Sequence, residues 1–438
     1  FVVGGGGLLG VHGTTVAFTQ WPGAVEDWPE FGFLIGARGA NHKDSDEHLW
    51  LKLDDAANPI TQVFGGQGFD YRDEFFRPQG TYSRSRVRVL LSIDTAKTDP
   101  NKGQPRGNCF REDNDYAVAW IRNYGRGRVF YSTIAHNPYV FWDAKMLQFY
   151  LAALQFALGD LPTPTTPSAK LTPAMRAQEK LGWRLALEAR AFPNLSFFET
   201  IDQAARFGLP YIGGSSSQMV GKDLAKGFGP ELSDAELTTI RLRLESAGLR
   251  LLTYDIRELP NDEAACRRLF EFGRKLGIET FIAAPQSEAL DRLEKLCDEY
   301  AINLAVRNAD GKTASPYWKP EAVLEACKNR SRRMGACGDV GAWLRSGIDP
   351  LRAVRTLKDR VLAVQLHDLD AAASRGQEVP WGTGRGQSAK LLAEIEQLGL
   401  KPTFGLDYSG PAGDLGLKLT QCVEFFNQTS EQLGTKAK

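Results

Sequence analysis

The chain has 438 residues, of which 42% are hydrophobic and 24% charged, a globular composition too long for one ordinary core. Lys plus Arg and Asp plus Glu both number 53, so no strongly basic or acidic face is expected, which argues against nucleic acid and anionic membranes as partners. No apolar run approaches the ~18 residues of a membrane-spanning helix. Cys109, Cys266, Cys297, Cys327, Cys337 and Cys422 form no CxxC pair and are expected as buried free thiols.

In chain order, FVVGGGGLLGVHG reads as the end of a helix, a glycine cap and a buried strand over 8–12. It begins without Met and without a signal-peptide layout, and a domain opening on an internal strand is expected to lack its first elements. The compartment, cytoplasm or periplasm, therefore stays open. Residues 118–137 predict a hairpin turning at 124–127, and 143–159 an amphipathic helix that closes an α/β sandwich. Proline and threonine then dominate, and the expected layout is an α/β domain over 1–160, a linker over 161–177, a second domain over 178–430 and a tail over 431–438.

The second domain is regular. Short apolar runs at 185–189, 210–214, 249–254, 279–283, 302–306, 334–338, 361–366 and 403–407 alternate with amphipathic stretches. Ser233 and Glu236 form a capping box, Asp349 caps a helix that starts on Pro350, and Gly248 and Gly399 stop helices before the next strand. Eight such units predict a (β/α)8 barrel, with a doubly wound sheet as the alternative.

Reactive side chains of such barrels stand at the C-terminal ends of the strands. Those positions hold Glu188 and Arg190, Ser215 and Gln218, Tyr254 and Asp255, Arg307 and Asn308, Asp339, Gln365 and His367, then Asp407 and Tyr408. Asp339 and Asp407 have three readings: a divalent metal site, an acid–base pair, or an ion pair with Arg307. Of five histidines only His367 lies in the barrel, so the ligand set is poor for a cation, and no cofactor is expected. His367 shares the inward side of its strand with Gln365, as a general base or as a structural histidine. The glycines of WGTGRGQSAK, residues 381–390, precede a helix; they read as a cradle for a phosphate or sugar oxygen, with Arg385 beside it, or as a plain loop. Trp381, with Trp318 and Trp343, offers an indole face on which a ring-shaped ligand can stack. In the first domain His12 ends a strand, His42 lies in a loop and His136 follows another strand; they read as converging on a pocket or as scattered polar loop histidines, and no Gly-x-Ser/Cys-x-Gly elbow is present there.

Two resemblances join here. GGGLLGVHG, LIGARGANH, NPIT, DEFF and VAWIRNYGRGRVFYSTIAHNP resemble the ThuA-like, or trehalose-utilisation, domain. This implies a flavodoxin-like fold related to class I glutamine amidotransferases, without their cysteine. SFFETIDQAARFGLPYI, PYWKPEAVLEACKNRSRRMGACGDVGAWLRSGIDP, EVPWGTGRGQ and QCVEFFN resemble the sugar phosphate isomerase/epimerase family of xylose isomerase-like TIM barrels. That resemblance implies a metal site, but its ligand positions hold Arg307-Asn308-Ala309, Ala342, Gln365, Ala284 and Gly213, and only Asp339 and Asp407 remain as candidate ligands. The expected function is proton abstraction next to a carbonyl of a sugar or keto-sugar, by isomerisation, epimerisation or elimination. Asp339, His367, Arg307 and Asp407 would be the catalytic groups; Glu188, Gln218, Asn308, Gln365, Trp381 and Arg385 would contact the substrate. The alternative is an inactive barrel that binds carbohydrate or a protein partner.

Overall fold

Alternation sets the two faces of the first sheet. In the strand Gly127–Ser132, Phe130 packs into one core with Phe149 and Phe156, while Val129 and Tyr131 pack into another with Ile35 and Trp120. The computed structural model describes residues 1–20, 26–102, 109–313, 315–371, 376–408 and 414–435. They form two compact units, Phe1–Lys170 and Leu171–Lys438.

The sheet of the first unit runs Gly7–Val11, Gly127–Ser132, Ala117–Tyr124, Arg88–Ile93, Glu47–Leu53, Phe69–Asp73. Its first pair is parallel and the others are antiparallel. Gly7–Val11, Gly127–Ser132 and Phe69–Asp73 therefore run the same way and end at one edge. Helices Pro29–Ile35 and Ala144–Leu158 contribute to opposite cores, which makes this an α/β sandwich. Asp143 caps the second helix, accepting from Lys145 N at 2.8 Å and Met146 N at 3.2 Å, and Gly159 ends it at φ 95°. The start of the chain, expected as a helix end, forms turns over residues 2–5.

The second unit is a closed barrel of eight parallel strands: Arg184–Leu187, Tyr211–Ser215, Arg250–Asp255, Thr280–Ala283, Asn303–Arg307, Met334–Asp339, Val361–Gln365 and Thr403–Leu406. The last strand pairs with the first, Phe404 opposite Leu185, so the doubly wound alternative is out. The capping box at Ser233 is formed, with Glu236 Oε2 accepting from Ser233 N at 2.8 Å. Helix Pro173–Leu181 packs on the C-terminal helix Leu415–Gly434, where Gln178 Nε2 donates to Asn427 Oδ1 at 2.8 Å. The barrel unit thus includes residues ahead of 178, and its last helix runs into the stretch expected as a tail; residues 436–438 lie outside the described residues. All six cysteines are buried and unpaired. Among the described residues no helix is long and apolar enough to cross a membrane.

Candidate functional site

The sixth barrel strand delivers Asp339 already oriented. Its Oδ1 caps the following helix, accepting from Ala342 N at 2.9 Å. Asn308, at the end of strand five, clamps its backbone: Asn308 Oδ1 accepts from Asp339 N at 2.6 Å and Nδ2 donates to Asp339 O at 3.1 Å. His367, just past strand seven, bridges two carboxylates. Its Nδ1 donates to Asp339 Oδ1 at 3.1 Å and its Nε2 to Asp407 Oδ1 at 2.5 Å. Burial opposes charge on this imidazole, but Asp407 and Asp339 outweigh it and hold His367 well above its usual value. Burial likewise opposes the Asp339 carboxylate, yet the His367 charge and hydrogen bond, the Ala342 amide and Arg190 hold it below the usual range. The floor of the barrel mouth is an imidazolium fixed between two anions.

Two guanidiniums complete the charge pattern. Arg307 pairs with Asp255, and Arg190 approaches Asp407 Oδ2 at 3.6 Å while donating to Gln365 Oε1 at 3.3 Å. Arg190, Arg307 and His367 thus face Asp255, Asp339 and Asp407. Glu188 has no fourth cation. Burial first, then Asp407 and Asp255, push its carboxyl up to about 8, against the Thr253 hydroxyl that donates to it at 2.8 Å and the Arg190 charge. Gly213 makes the room: a Cβ there would stand 2.2 Å from Glu188 Oε2. Above this floor opens a cavity of about 520 Å³, lined by Asp339, Asp255, Asp310, Arg190, Arg307, Arg257 and Arg345 with the Ser215–Gln218 turn.

Several sequence expectations change here. Asp339 pairs with His367 rather than Arg307, because Arg307 reaches across to Asp255 on strand three. The glycine loop is not an open cradle: Gly382 N, Gly384 N, Gly386 N and Ser388 Oγ all donate to the Asp368 carboxylate, at 3.0, 3.1, 2.7 and 3.2 Å. The anion the loop was expected to bind is a side chain of this protein. Trp381 and Trp343 are each 1% exposed and belong to the core, so neither ring is free to stack on a sugar. Trp318 lies by a separate cavity with Lys319, away from the mouth. Arg385 points from the exposed loop to the Asp370 carbonyl and does not line the mouth. Gln218 lines it, but its amide donates to Thr200 Oγ1 at 3.0 Å and accepts from Ser215 N at 3.3 Å. Gln365 is buried, and its Nε2 has no partner among the described residues.

The barrel residues do not fit the cation that the fold family implies. His367 uses opposite ring nitrogens for its two partners, so Asp339 and Asp407 are held on either side of the ring, where an ion would have to sit between them. Arg190 and Arg307 add positive charge to the same place.

In the first unit the three expected histidines do converge, and on a residue not singled out from the sequence, Glu74. His12 Nε2 stands 3.3 Å from Glu74 Oε1, His136 Nδ1 3.7 Å from the same oxygen, and His42 Nδ1 3.2 Å from Oε2. Arg190 and Asp255 were visible as strand-end residues; Glu74 was visible only inside the DEFF stretch.

The chain is therefore an α/β sandwich unit followed along the sequence by a TIM barrel unit. The family model described as "Trehalose utilisation", ThuA, matches residues 1–157, which lie within the first unit. No curated protein matches the chain. Similar solved structures include an uncharacterised protein from Parabacteroides distasonis, 25% identical, covering 56% of this chain and 98% of that one with a TM-score of 0.47. A D-tagatose 3-epimerase-like protein is 13% identical over 58% of this chain and 100% of that one, with a TM-score of 0.45. A xylose isomerase-like TIM barrel protein from Mycobacterium smegmatis in complex with magnesium is 15% identical over 57% of this chain and 97% of that one, with a TM-score of 0.46. Their likeness concerns the fold alone.

Proposed function

We propose that the barrel mouth takes a sugar or keto-sugar and moves a proton next to its carbonyl. The observation that carries this reading is Asp339. Both protein hydrogen bonds to its carboxylate fall on Oδ1, and the residue lines the cavity, leaving Oδ2 without a hydrogen-bond partner among the described residues. A carboxylate fixed through one oxygen and open through the other is suited to accept a proton from a bound carbon acid. Arg190 and Arg307 supply positive charge for the oxygen of the enolate that forms. The abstracted proton then returns to the neighbouring carbon, or a β-substituent leaves with the electron pair. The interactions that fix Asp339 also make it a weak base. The rate then depends on how far the arginines acidify the α-carbon.

That weakness favours a second reading, a barrel that binds carbohydrate without turning it over. The two separate on one experiment. The protein is incubated in D2O with aldoses, ketoses and 3-keto-glycosides while mass spectrometry follows deuterium uptake. Uptake or product formation that Asp339→Asn abolishes supports the catalytic reading. Saturable binding with neither uptake nor product supports the second, and absence of binding removes both.

A further inference from the structure

The ends of three strands bring His12, Glu74 and His136 to one edge of the first sheet. His12 follows Gly7–Val11, His136 follows Gly127–Ser132, and Glu74 follows Phe69–Asp73. The short pair Ala40–Asn41 with Arg77–Pro78 carries His42 to the other side of the same carboxylate. Each element is pinned from behind. Tyr131 OH donates to His12 O at 2.7 Å, Phe76 N donates to Thr133 Oγ1 at 2.8 Å, and Asp73 accepts from His136 N at 3.2 Å and Asn137 N at 2.9 Å. His12 itself sits at φ 48°, a left-handed conformation that a histidine holds at some cost.

The three ligand atoms make a small triangle: His12 Nε2 to His136 Nδ1 3.2 Å, His12 Nε2 to Glu74 Oε1 3.3 Å, His136 Nδ1 to Glu74 Oε1 3.7 Å. Among the described residues these three form the group of metal-ligand side chains gathered within 4.8 Å. Donor atoms bound to one tetrahedral zinc at ~2.0–2.1 Å stand ~3.3 Å apart, so the triangle has the size of one face of such a site. Hydrogen bonds explain it less well. His12 Nδ1 lies 3.2 Å from the Thr133 carbonyl, which can only accept, so that nitrogen carries a hydrogen. His12 Nε2 then faces both a carboxylate oxygen and a second imidazole nitrogen, and one hydrogen cannot serve all three edges. One cation at the centre satisfies every atom. The Nδ1–H···O=C bond is also the orientation that metal-bound imidazoles use.

From this geometry we infer that the first unit holds a divalent transition metal of the zinc class on His12 Nε2, His136 Nδ1 and Glu74 Oε1. His42 holds the second carboxylate oxygen and aims the first. Glu74 is 8% exposed, but the His12, His136 and His42 side chains are 23%, 37% and 45% exposed. The fourth position therefore opens to solvent, as in sites that bind a water or a ligand oxygen rather than in closed structural sites. All four residues lie in the first unit.

The test is Zn2+ titration of the untagged full-length protein after chelator treatment, read by competition with a chromophoric chelator. One tight equivalent is expected. His136→Ala and Glu74→Gln should each weaken it by more than ~100-fold, and His42→Ala by ~10-fold with the stoichiometry kept. The barrel double variant Asp339→Asn/Asp407→Asn should retain the equivalent. No tight binding to wild type, binding unchanged in His136→Ala, or binding lost in the barrel variant overturns the proposal. If the cluster variants do not fold, X-ray absorption of the zinc-loaded wild type decides. A first shell with two imidazoles and a carboxylate oxygen supports the site, and one without imidazole refutes it.

Discussion

The two units arrange similar side chains in opposite ways. In the barrel one imidazole is shared by two carboxylates, with two guanidiniums close by. In the first unit three imidazoles surround one carboxylate, and among the described residues Glu74 pairs with histidines alone. The first arrangement neutralises itself with protons and leaves no place for a cation. The second has more lone pairs than hydrogens to fill them. What differs is the sign of what each cluster lacks, and that decides whether each is expected to bind a metal.

The sharpest way to break the comparison is to remove the barrel imidazole. His367→Leu leaves Asp339 and Asp407 buried without their shared partner, and breaking a buried ion pair from one side costs about 3–5 kcal/mol. Urea unfolding should show that loss. Adding Asp339→Asn and Asp407→Asn to His367→Leu should recover part of it, since the uncompensated charge rather than the missing ring is the penalty. A loss of the same size in all combinations would mean that the floor is held by packing instead. Zinc should act on the other unit. At a free concentration one hundred times its Kd it stabilises by about 2.7 kcal/mol. The gain in melting temperature should vanish in Glu74→Gln and survive in the barrel variants.

Glu188 gives the comparison a pH axis. Its folded value is pushed from 4.5 to about 8, so between those values the folded barrel keeps a proton that the unfolded chain releases. The native state then binds more protons than the unfolded state, and stability falls as pH rises across that window. His367, also raised, adds a loss of the same sign from its unfolded value near 6.5 upward. Asp339 has the opposite sign: its contribution is present above 3.8 and fades on acidification. Glu188→Gln should flatten the slope between about pH 4.5 and 8 and raise stability at pH 8 by on the order of a few kcal/mol relative to pH 5. A slope unchanged by the substitution would place the titration elsewhere.

The barrel was legible because its period is local. Strand runs such as VLAVQL and caps such as SDAE carry their signal within a few residues, and closure follows from repeating the unit. Which strand ends come together was also legible, and Asp339, His367 and Asp407 do meet. Pairing was not. Sequence spacing does not tell whether Arg307 turns toward strand six or across to Asp255 on strand three. The glycine loop failed for a related reason: its pattern reads as anion-binding, and the anion is Asp368, one residue past His367. An internal carboxylate and an external phosphate leave the same glycines. The expected Trp381 stacking failed because nothing local marks that indole as facing Phe426 rather than the mouth.

Arg257 should give the smallest effect on the fold and a clear one on the ligand. It lines the mouth, is exposed, and has no ion pair among the described residues, whereas Arg307 is paired with Asp255 and Arg345 lies 3.4 Å from Asp310. Removing an unpaired surface cation leaves stability within about 0.5 kcal/mol. Arg307→Ala, by contrast, strands Asp255, a residue only 7% exposed, and should be clearly destabilising. If the mouth selects sugars carrying a carboxylate or phosphate, Arg257→Ala should weaken their binding by roughly tenfold, a loss of about 1.4 kcal/mol, and leave neutral sugars unchanged. Equal loss for both classes would mean that Arg257 shapes the rim rather than reading charge. No loss for either would leave the paired arginines on the floor as the only cations that touch the ligand.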